Sequence, residues 1–187
     1  MLSPLLQKLL FVKQFSINEG KIEVLGNSFI MLDASNLLEL QDIDRTKMYS
    51  IAKESTASQF KNIIEHAQVY KKMKEESLKH IAELSKKAGV TDEGQIVVLQ
   101  DLFNLLGLGK LDIVRLDNKN KMASLRIHNS ALAEAQLKKS KLKTKSCTIT
   151  AGVLAGIFSY VFGKKEIECV EVKCRAEKED FCLFEVS

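Results

Sequence analysis

Residues 147–187 read CTITAGVLAGIFSYVFGKKEIECVEVKCRAEKEDFCLFEVS, and this stretch decides how the rest of the chain is interpreted. It begins with a cysteine, continues as an apolar segment and ends in a part that carries three more cysteines. All four cysteines of the chain lie here and none occurs in the first 146 residues. Cysteines used only as core residues would be more scattered, so this end of the chain is predicted to carry chemistry.

The apolar part of this stretch has the period of a helix. Apolar residues recur at three- and four-residue steps from Ile149 to Phe162. Small residues form a second stripe, namely Gly152, Ala155, Gly156, Ser159 and Gly163. Such a stripe lets another backbone or a flat ligand come close. We expect it to pack the helix tightly against a sheet.

After Gly163 the pattern changes to period two, which predicts a β-hairpin. A hairpin centred on Lys178 would set three pairs opposite each other: Cys174 and Cys182, Val172 and Phe184, Val170 and Val186. Opposed Cβ atoms are about 4.5–5.5 Å apart, which suits either a disulfide or two thiolates on one metal. Glu171 would point to the other face, so it could join Cys174 only through a bulge or a strand end.

The spacing of these residues resembles a known family. Cys147, a glycine-bearing helix and the run Glu171-x-x-Cys174-x7-Cys182 are similar to the 4-vinyl-reductase domain family. Its relatives include the sensor domains of phenol-responsive bacterial activators and, more distantly, trafficking subunits of the TRAPP complex. The resemblance is best over residues 146–187 and extends back to about Asp44. It suggests a stand-alone archaeal member of the family.

The resemblance implies a zinc ion bound by Cys147, Glu171, Cys174 and Cys182. Cys169 matches no ligand position and is expected to be a packed or free thiol. The hairpin tip AEKED lacks the glycine that is usual in the family.

The chemistry of the four side chains can also be judged without the family. Three thiolates and a carboxylate fill the four positions that structural zinc prefers and leave no position open. Two alternatives remain at this stage: a reduced cluster of buried thiols, or a Cys174–Cys182 disulfide in an oxidising compartment.

Length and composition exclude several classes of protein. With 187 residues the chain should form one domain, possibly with an appendage. A hydrophobic content of 45% with 28% charged residues is ordinary for a globular protein, and a net charge of +4 is too modest to indicate nucleic-acid binding. No stretch resembles a signal peptide or a membrane span. We therefore expect a cytoplasmic protein with reduced thiols.

The elements upstream predict an α+β fold with an antiparallel sheet, built from hairpins, packed against a helical layer. An arm at residues 1–44 would contain an amphipathic helix and a hairpin at Lys21–Ala34 with a Gly26-Asn27 turn. Residues 45–187 would form the main domain. Its remaining elements are three helices, at Arg45–Ala67, Val69–Ala88 and Glu93–Leu106, and a second hairpin at Lys110–His128.

The arm at residues 1–44 is too small to bury its own apolar residues. It should therefore pack on the main domain or on a second subunit, and we expect a homodimer.

The function implied by the resemblance is a non-catalytic sensor or carrier of a hydrophobic small molecule, which would signal through a separate partner. The candidate pocket residues are Phe103, Leu106, His128, Leu154, Phe158 and Phe162. In the related phenol sensors a histidine and a tryptophan hold the ligand hydroxyl. This chain has no tryptophan, so that arrangement is not reproduced. Two alternatives are an interaction scaffold and a reductase of tetrapyrrole vinyl groups. No dinucleotide fingerprint supports the reductase.

Overall fold

The computed structural model describes residues 15–24, 27–73, 99–100, 103–104, 106–139 and 144–187. The chain divides into two units, one of Met1–Met31 with Lys61–Leu105 and the other of Leu32–Phe60 with Leu106–Ser187. The predicted N-terminal helix lies outside the described residues, as does most of the predicted helix Val69–Ala88. The separation of an arm at residues 1–44 stays a prediction. In the part of the chain that is described, no helix is long and apolar enough to cross a membrane.

The first unit contains a three-stranded antiparallel sheet. Its strands are β1 (Phe15–Asn18), β2 (Lys21–Val24) and β3 (Asn27–Phe29), in that order. Glu19 and Gly20 join β1 to β2, both with positive φ, as a two-residue hairpin turn requires. The predicted pairing of β2 with β3 is confirmed, whereas β1 was not predicted. Asn27 pairs with Val24, so the predicted Gly26-Asn27 turn is wrong by one residue.

Two helices with aspartate caps follow. Helix α1 (Ala34–Ile43) begins after Asp33, whose carboxylate accepts a hydrogen bond from Ser35 N at 2.8 Å. Helix α2 (Arg45–Met73) begins after Asp44, which accepts from Lys47 N at 2.9 Å. Helix α1 was not predicted. Helix α2 runs through the break predicted at residue 68, because its sequence contains no glycine or proline to end it.

The second unit is built on a four-stranded antiparallel sheet. Its strands are β4 (Lys110–Asp117), β5 (Met122–His128), β6 (Cys169–Lys173) and β7 (Cys182–Val186), in the order β4-β5-β7-β6. The predicted hairpin of β4 and β5 is confirmed. The register shifts between Ile113 and Arg115, and the Val114 side chain is 51% exposed.

Helices cover one face of this sheet. Alternate residues of β5 and β7 are buried, namely Ala123, Leu125, Ile127, Cys182, Phe184 and Val186. Helix α4 (Thr148–Phe162) packs on β6 and β7, and helix α3 (Ala131–Lys139) packs against α1. The predicted α+β class, with an antiparallel sheet against helices, is confirmed. Of the predicted helix Glu93–Leu106, the described residues 99–100 and 103–104 are helical, while Leu106 lies in a turn.

The stripe of small residues on α4 faces α2 rather than the sheet. A Cβ atom added to Gly152 would lie 2.5 Å from the backbone oxygen of Tyr49, and one added to Gly156 would overlap that of Lys53. The predicted packing of this stripe against the sheet is therefore wrong. The two helix backbones approach as closely as only glycine permits, and the sheet is met by the larger apolar side chains of α4.

Tyr49 ties α2 to the start of β6, and this contact gives a testable prediction. The Tyr49 hydroxyl donates to Glu168 Oε2 at 2.6 Å and accepts from Cys169 N at 2.8 Å. Burial, followed by the Glu168 contact, raises the pKa of Tyr49. We expect Tyr49→Phe to lower the free energy of unfolding by about 1–3 kcal/mol, because the Cys169 amide loses its acceptor. Urea denaturation measures the change.

The matched control is Tyr160→Phe, which keeps the edge-on ring contact with Phe60 at 5.6 Å between centroids. No hydrogen bond of the Tyr160 hydroxyl is found among the described residues, so its removal should cost less than about 0.5 kcal/mol. Equal denaturation midpoints for the two variants would show that the Tyr49 hydroxyl does not stabilise the fold.

Candidate metal centre

The four residues that the sequence singled out come together at one buried point. The ligand atoms of Cys147, Glu171, Cys174 and Cys182 all lie within 4.8 Å of one another, and all four residues are buried. They come from three places in the fold. Cys147 directly precedes α4, Glu171 lies in β6 with Cys174 just after it, and Cys182 opens β7.

The register of the C-terminal hairpin differs from the prediction. Cys169 pairs with Val186, Glu171 with Phe184 and Lys173 with Leu183, and the register shifts between Glu171 and Lys173. Cys174 lies beyond the strand, at the start of a 3-10 turn. The predicted opposition of Cys174 and Cys182, and of the valines with Phe184 and Val186, is therefore wrong.

The same shift explains how a carboxylate joins the thiols. Glu171 and Cys169 are on the buried face of β6, while Val170 and Val172 are exposed. The irregularity after Glu171 then lets Cys174 turn inward as well. The prediction that Glu171 can meet Cys174 only through a bulge or strand end is confirmed.

The sulfur–sulfur distances match a shared metal rather than a disulfide. Cys147 Sγ lies 3.7 Å from Cys182 Sγ, which lies 3.9 Å from Cys174 Sγ. A disulfide bond is about 2.05 Å long, and all four cysteines are free thiols. A tetrahedron with zinc–sulfur bonds of about 2.3 Å has edges of about 3.8 Å. The thiols are therefore spaced as zinc would need them.

Each sulfur of the cluster has a polar neighbour. Ser130 Oγ lies 3.3 Å from Cys147 Sγ, and Ser146 Oγ lies 3.6 Å from Cys174 Sγ. The backbone N–H of Arg175 donates to Cys182 Sγ at 3.4 Å. Donors of this kind stabilise thiolates that bind a metal. No sequence signal pointed to Ser130, and Ser146 could have been noticed only because it precedes a predicted ligand.

Glu171 supplies a direct test of whether the site fits a cation. Its Oε2 accepts a hydrogen bond from Cys147 N at 3.0 Å. Its Oε1 is one of the few buried side-chain atoms in the described regions without a hydrogen-bond partner. A buried carboxylate oxygen in that position requires a reason, and a cation among three thiols provides one.

The acidities of the four groups show how the cluster behaves without a cation. Burial, and next the Cys174 contact, raise the pKa of Glu171 to about 8. Hydrogen bonds to Cys174 and Cys182 raise the pKa of Cys147, while bonds from Cys147 and Cys182 lower that of Cys174. The pKa of Cys182 is subject to opposing effects. A hydrogen bond from Cys147 lowers this pKa, but the hydrogen bond to Cys174 and burial of the thiol outweigh that effect and raise the pKa of Cys182 to about 12.

Burial and the contacts among the four groups therefore oppose several negative charges in the cluster at once. A divalent cation at the centre would favour the deprotonated form of every ligand. The residues present fit such a cation in number, chemistry and spacing.

The remaining cysteine and the hairpin tip also have defined positions. Cys169 is a buried free thiol outside the cluster, as predicted, and burial raises its pKa. At the tip, Lys178 adopts a φ of 73°, in the left-handed region that glycine usually occupies. Lys178 therefore adopts a backbone conformation that glycine adopts more easily than lysine.

The predicted pocket residues are only partly brought together. Leu154, Phe158 and Phe162 are buried on α4, and the rings of the two phenylalanines are 5.2 Å apart. His128 lies on the outer face of the sheet, with its Nε2 3.3 Å from Asp112 Oδ2. Leu106 is 46% exposed, and Phe103 is buried in the other unit. The pocket stays a prediction.

Comparison with known proteins agrees with this fold. The family model of the 4-vinyl-reductase domain matches residues 124–187, and no curated protein sequence matches the chain. The phenol-responsive sensory domain of the transcription activator PoxR, solved with phenol, is 15% identical with a TM-score of 0.68; the alignment covers 98% of this chain and 90% of that one.

Two further structures are similar. A vinyl-4-reductase family protein from Methanocaldococcus jannaschii is 19% identical, with 86% of this chain and 83% of that chain covered and a TM-score of 0.48. A trafficking protein particle complex subunit 3 from Naegleria fowleri, covalently bound to palmitic acid, is 13% identical with a TM-score of 0.50. The alignment covers 82% of this chain and 93% of that chain. At identities this low, the PoxR domain and the trafficking subunit show a shared fold and nothing more.

Proposed function

The chain contains a 4-vinyl-reductase domain at residues 124–187, and from that premise we propose that it is a non-catalytic sensor or carrier of a hydrophobic small molecule. In this proposal a zinc ion, bound by Cys147, Glu171, Cys174 and Cys182, fixes the C-terminal hairpin to α4. The structural neighbour solved with phenol supports the ligand-binding part.

The observation that carries the proposal is the buried cluster of three thiols and one carboxyl with an unpaired carboxylate oxygen. Sulfur ligands favour zinc over calcium or magnesium. Four protein ligands leave no position for water or substrate, which is the mark of a structural rather than a catalytic zinc site. The metal would link the start of α4 to the C-terminal hairpin and would take no part in a reaction.

The ligand would bind next to the part of the fold that the metal fixes. Helix α4 begins one residue after Cys147 and buries Leu154, Phe158 and Phe162 along its length. The helix packs on β6 and β7; β6 carries Glu171 and is followed directly by Cys174, and β7 begins with Cys182. A bound molecule that changes how α4 packs on this hairpin would also shift the residues that bind the metal.

Native mass spectrometry of the purified protein tests the proposal. We expect a mass above that of the chain by about one zinc ion and by one apolar molecule, which is released on denaturation. Phe158→Ala should reduce the fraction of protein that carries the molecule while leaving the zinc in place.

Two results together would contradict a sensor or carrier and favour an interaction scaffold: zinc without any bound small molecule, and no thermal shift from a panel of aromatic compounds and fatty acids. Reduction of a divinyl tetrapyrrole by the pure protein with a supplied donor would instead favour an enzyme.

A second copy of the chain is the partner that we propose, and exposed apolar side chains on α1 and α2 support a homodimer. Ile43 is 80% exposed and Ile51 48% exposed. We expect Ile43→Lys to shift light scattering from a dimer toward a monomer, because a charge would have to be buried in the contact. Val170→Lys is the matched control, since Val170 is 61% exposed on the outer face of the sheet. A monomeric wild type, or an unchanged dimer in the Ile43 variant, contradicts this interface.

A further inference from the structure

Gln41, on α1, is fully buried and reaches the segment that contains the first cysteine of the cluster. Its Nε2 donates to the backbone oxygen of Ser146 at 2.6 Å. Its Oε1 accepts from the backbone N–H of Ile149 at 3.3 Å. The two contacts lie on either side of Cys147, so one side chain holds the backbone before and after it.

This arrangement replaces the usual cap of a helix. The residue that precedes the first turn normally turns its side chain back to accept from the second or third N–H of the helix. In α4 that residue is Cys147, and its side chain makes no such bond. Ile149 is the second residue of α4, and its N–H is satisfied by Gln41 instead.

The Cys147 sulfur is consequently available for the cluster, where it lies 3.7 Å from Cys182 Sγ. Only a side chain with both a donor and an acceptor can serve the Ser146 carbonyl and the Ile149 N–H together, and a primary amide has both. A second bond fixes the same segment from outside, since Arg45 Nη1 donates to the backbone oxygen of Lys145 at 2.8 Å.

We propose that Gln41 positions the metal centre: its amide caps α4 in place of the Cys147 side chain, which leaves the sulfur free to bind the metal. Helix α1 lies outside residues 124–187, so the matched domain does not itself contain this residue. Movement of α1 would alter the geometry of the cluster through Gln41. This inference rests on the proposed metal site.

Cobalt(II) binding to the metal-stripped full chain tests it, because cobalt bound by thiolates has visible bands that report ligand geometry. Gln41→Met keeps the length of the side chain and removes both hydrogen bonds. We expect cobalt affinity, measured by competition with a chelator, to fall about ten-fold or more, the usual cost of losing an outer partner of a ligand. We also expect the bands to change in position or intensity.

Leu38→Ala is the matched control. Leu38 is buried on the same helix, and its apolar side chain can make no hydrogen bond to residues 146–149. It should lower the melting temperature while leaving the cobalt spectrum as in the wild type. If Gln41→Met does not fold, Gln41→Asn removes the same bonds with a shorter amide and should change the bands in the same way.

The outcomes separate this inference from the metal site itself. Cobalt binding to the wild type, with the same affinity and spectrum in the Gln41 variants, would overturn the positioning role and leave the metal site standing. The same spectral change in Leu38→Ala would show a general packing effect and would also overturn it. No cobalt binding by the wild type would overturn the metal site, and the positioning role with it.

Discussion

Cys174→Ala is expected to cause the largest loss of stability of any single change in this protein. The side chain removed is one of the three thiols of the cluster, and its sulfur lies 3.9 Å from Cys182 Sγ. Without it, zinc would keep two thiolates and one carboxylate. The proposed metal would link the start of α4 to β6 and β7, so its loss would free the C-terminal hairpin. A ligand present at a thousand times its Kd stabilises a fold by about 4 kcal/mol, and we expect a loss of at least that size in chemical denaturation.

Cys169→Ala isolates the contribution of the metal. Cys169 is also a buried free thiol, and it lies in β6, but it is outside the cluster. Both variants lose a buried sulfur, at a cost of about 1–2 kcal/mol for packing. We expect a chelator to lower the melting temperature of the wild type and of Cys169→Ala, but to leave that of Cys174→Ala unchanged. Equal effects of the chelator on all three proteins would contradict a metal at this site.

The second large effect is expected at the contact of α4 with α2. Gly156→Ala adds a single methyl group to the middle of a helix, where alanine is intrinsically favoured by about 1 kcal/mol. In this structure, however, the new Cβ would overlap the backbone oxygen of Lys53 and would lie 3.0 Å from Ala57 N. Neither atom can move without shifting the whole of α2. Overpacking of this kind costs about 1–3 kcal/mol, and contact with two backbone atoms places this case near the upper end of that range. After the helix preference of alanine is subtracted, we expect a net loss of about 1–2 kcal/mol.

Ser159→Ala is the control for Gly156→Ala. Ser159 lies about one turn later on α4, is only partly buried, and its hydroxyl bonds to the Ala155 carbonyl of the same helix at 2.8 Å. We expect a change of less than about 0.5 kcal/mol. Thermal unfolding compares the two variants, and a Gly156→Ala protein as stable as the wild type would show that the helices do not pack as closely as described.

The C-terminal stretch allowed more to be predicted than the rest of the chain. Its periodicity predicted α4 and the following hairpin, and the resemblance implied the four residues that meet in the cluster. The faces of β6 could not be predicted in the same way. Val170, Val172 and Cys174 alternate as a buried face would, but the buried face belongs to Cys169 and Glu171. Both faces of the strand carry residues that can be buried, so the period alone does not decide between them.

Other errors have similarly local causes. The small residues of α4 indicate close packing, but their spacing does not name the partner, and here the partner is α2. Helix α1 is short and carries few buried apolar residues, so its period is weak. Gln41 could not be singled out, because its role depends on backbone atoms more than 100 positions away.

Metal content is the measurement that tests the central claim most directly. Inductively coupled plasma mass spectrometry should find about one zinc ion per chain in the wild type and in Cys169→Ala, and almost none in Cys174→Ala. Without added denaturant, thiol titration of the zinc-loaded wild type should leave the cluster cysteines unreactive until a chelator is added. A wild type that carries no metal after expression with zinc, and whose thiols react alike with and without the chelator, would contradict the account and leave the cysteines as core residues.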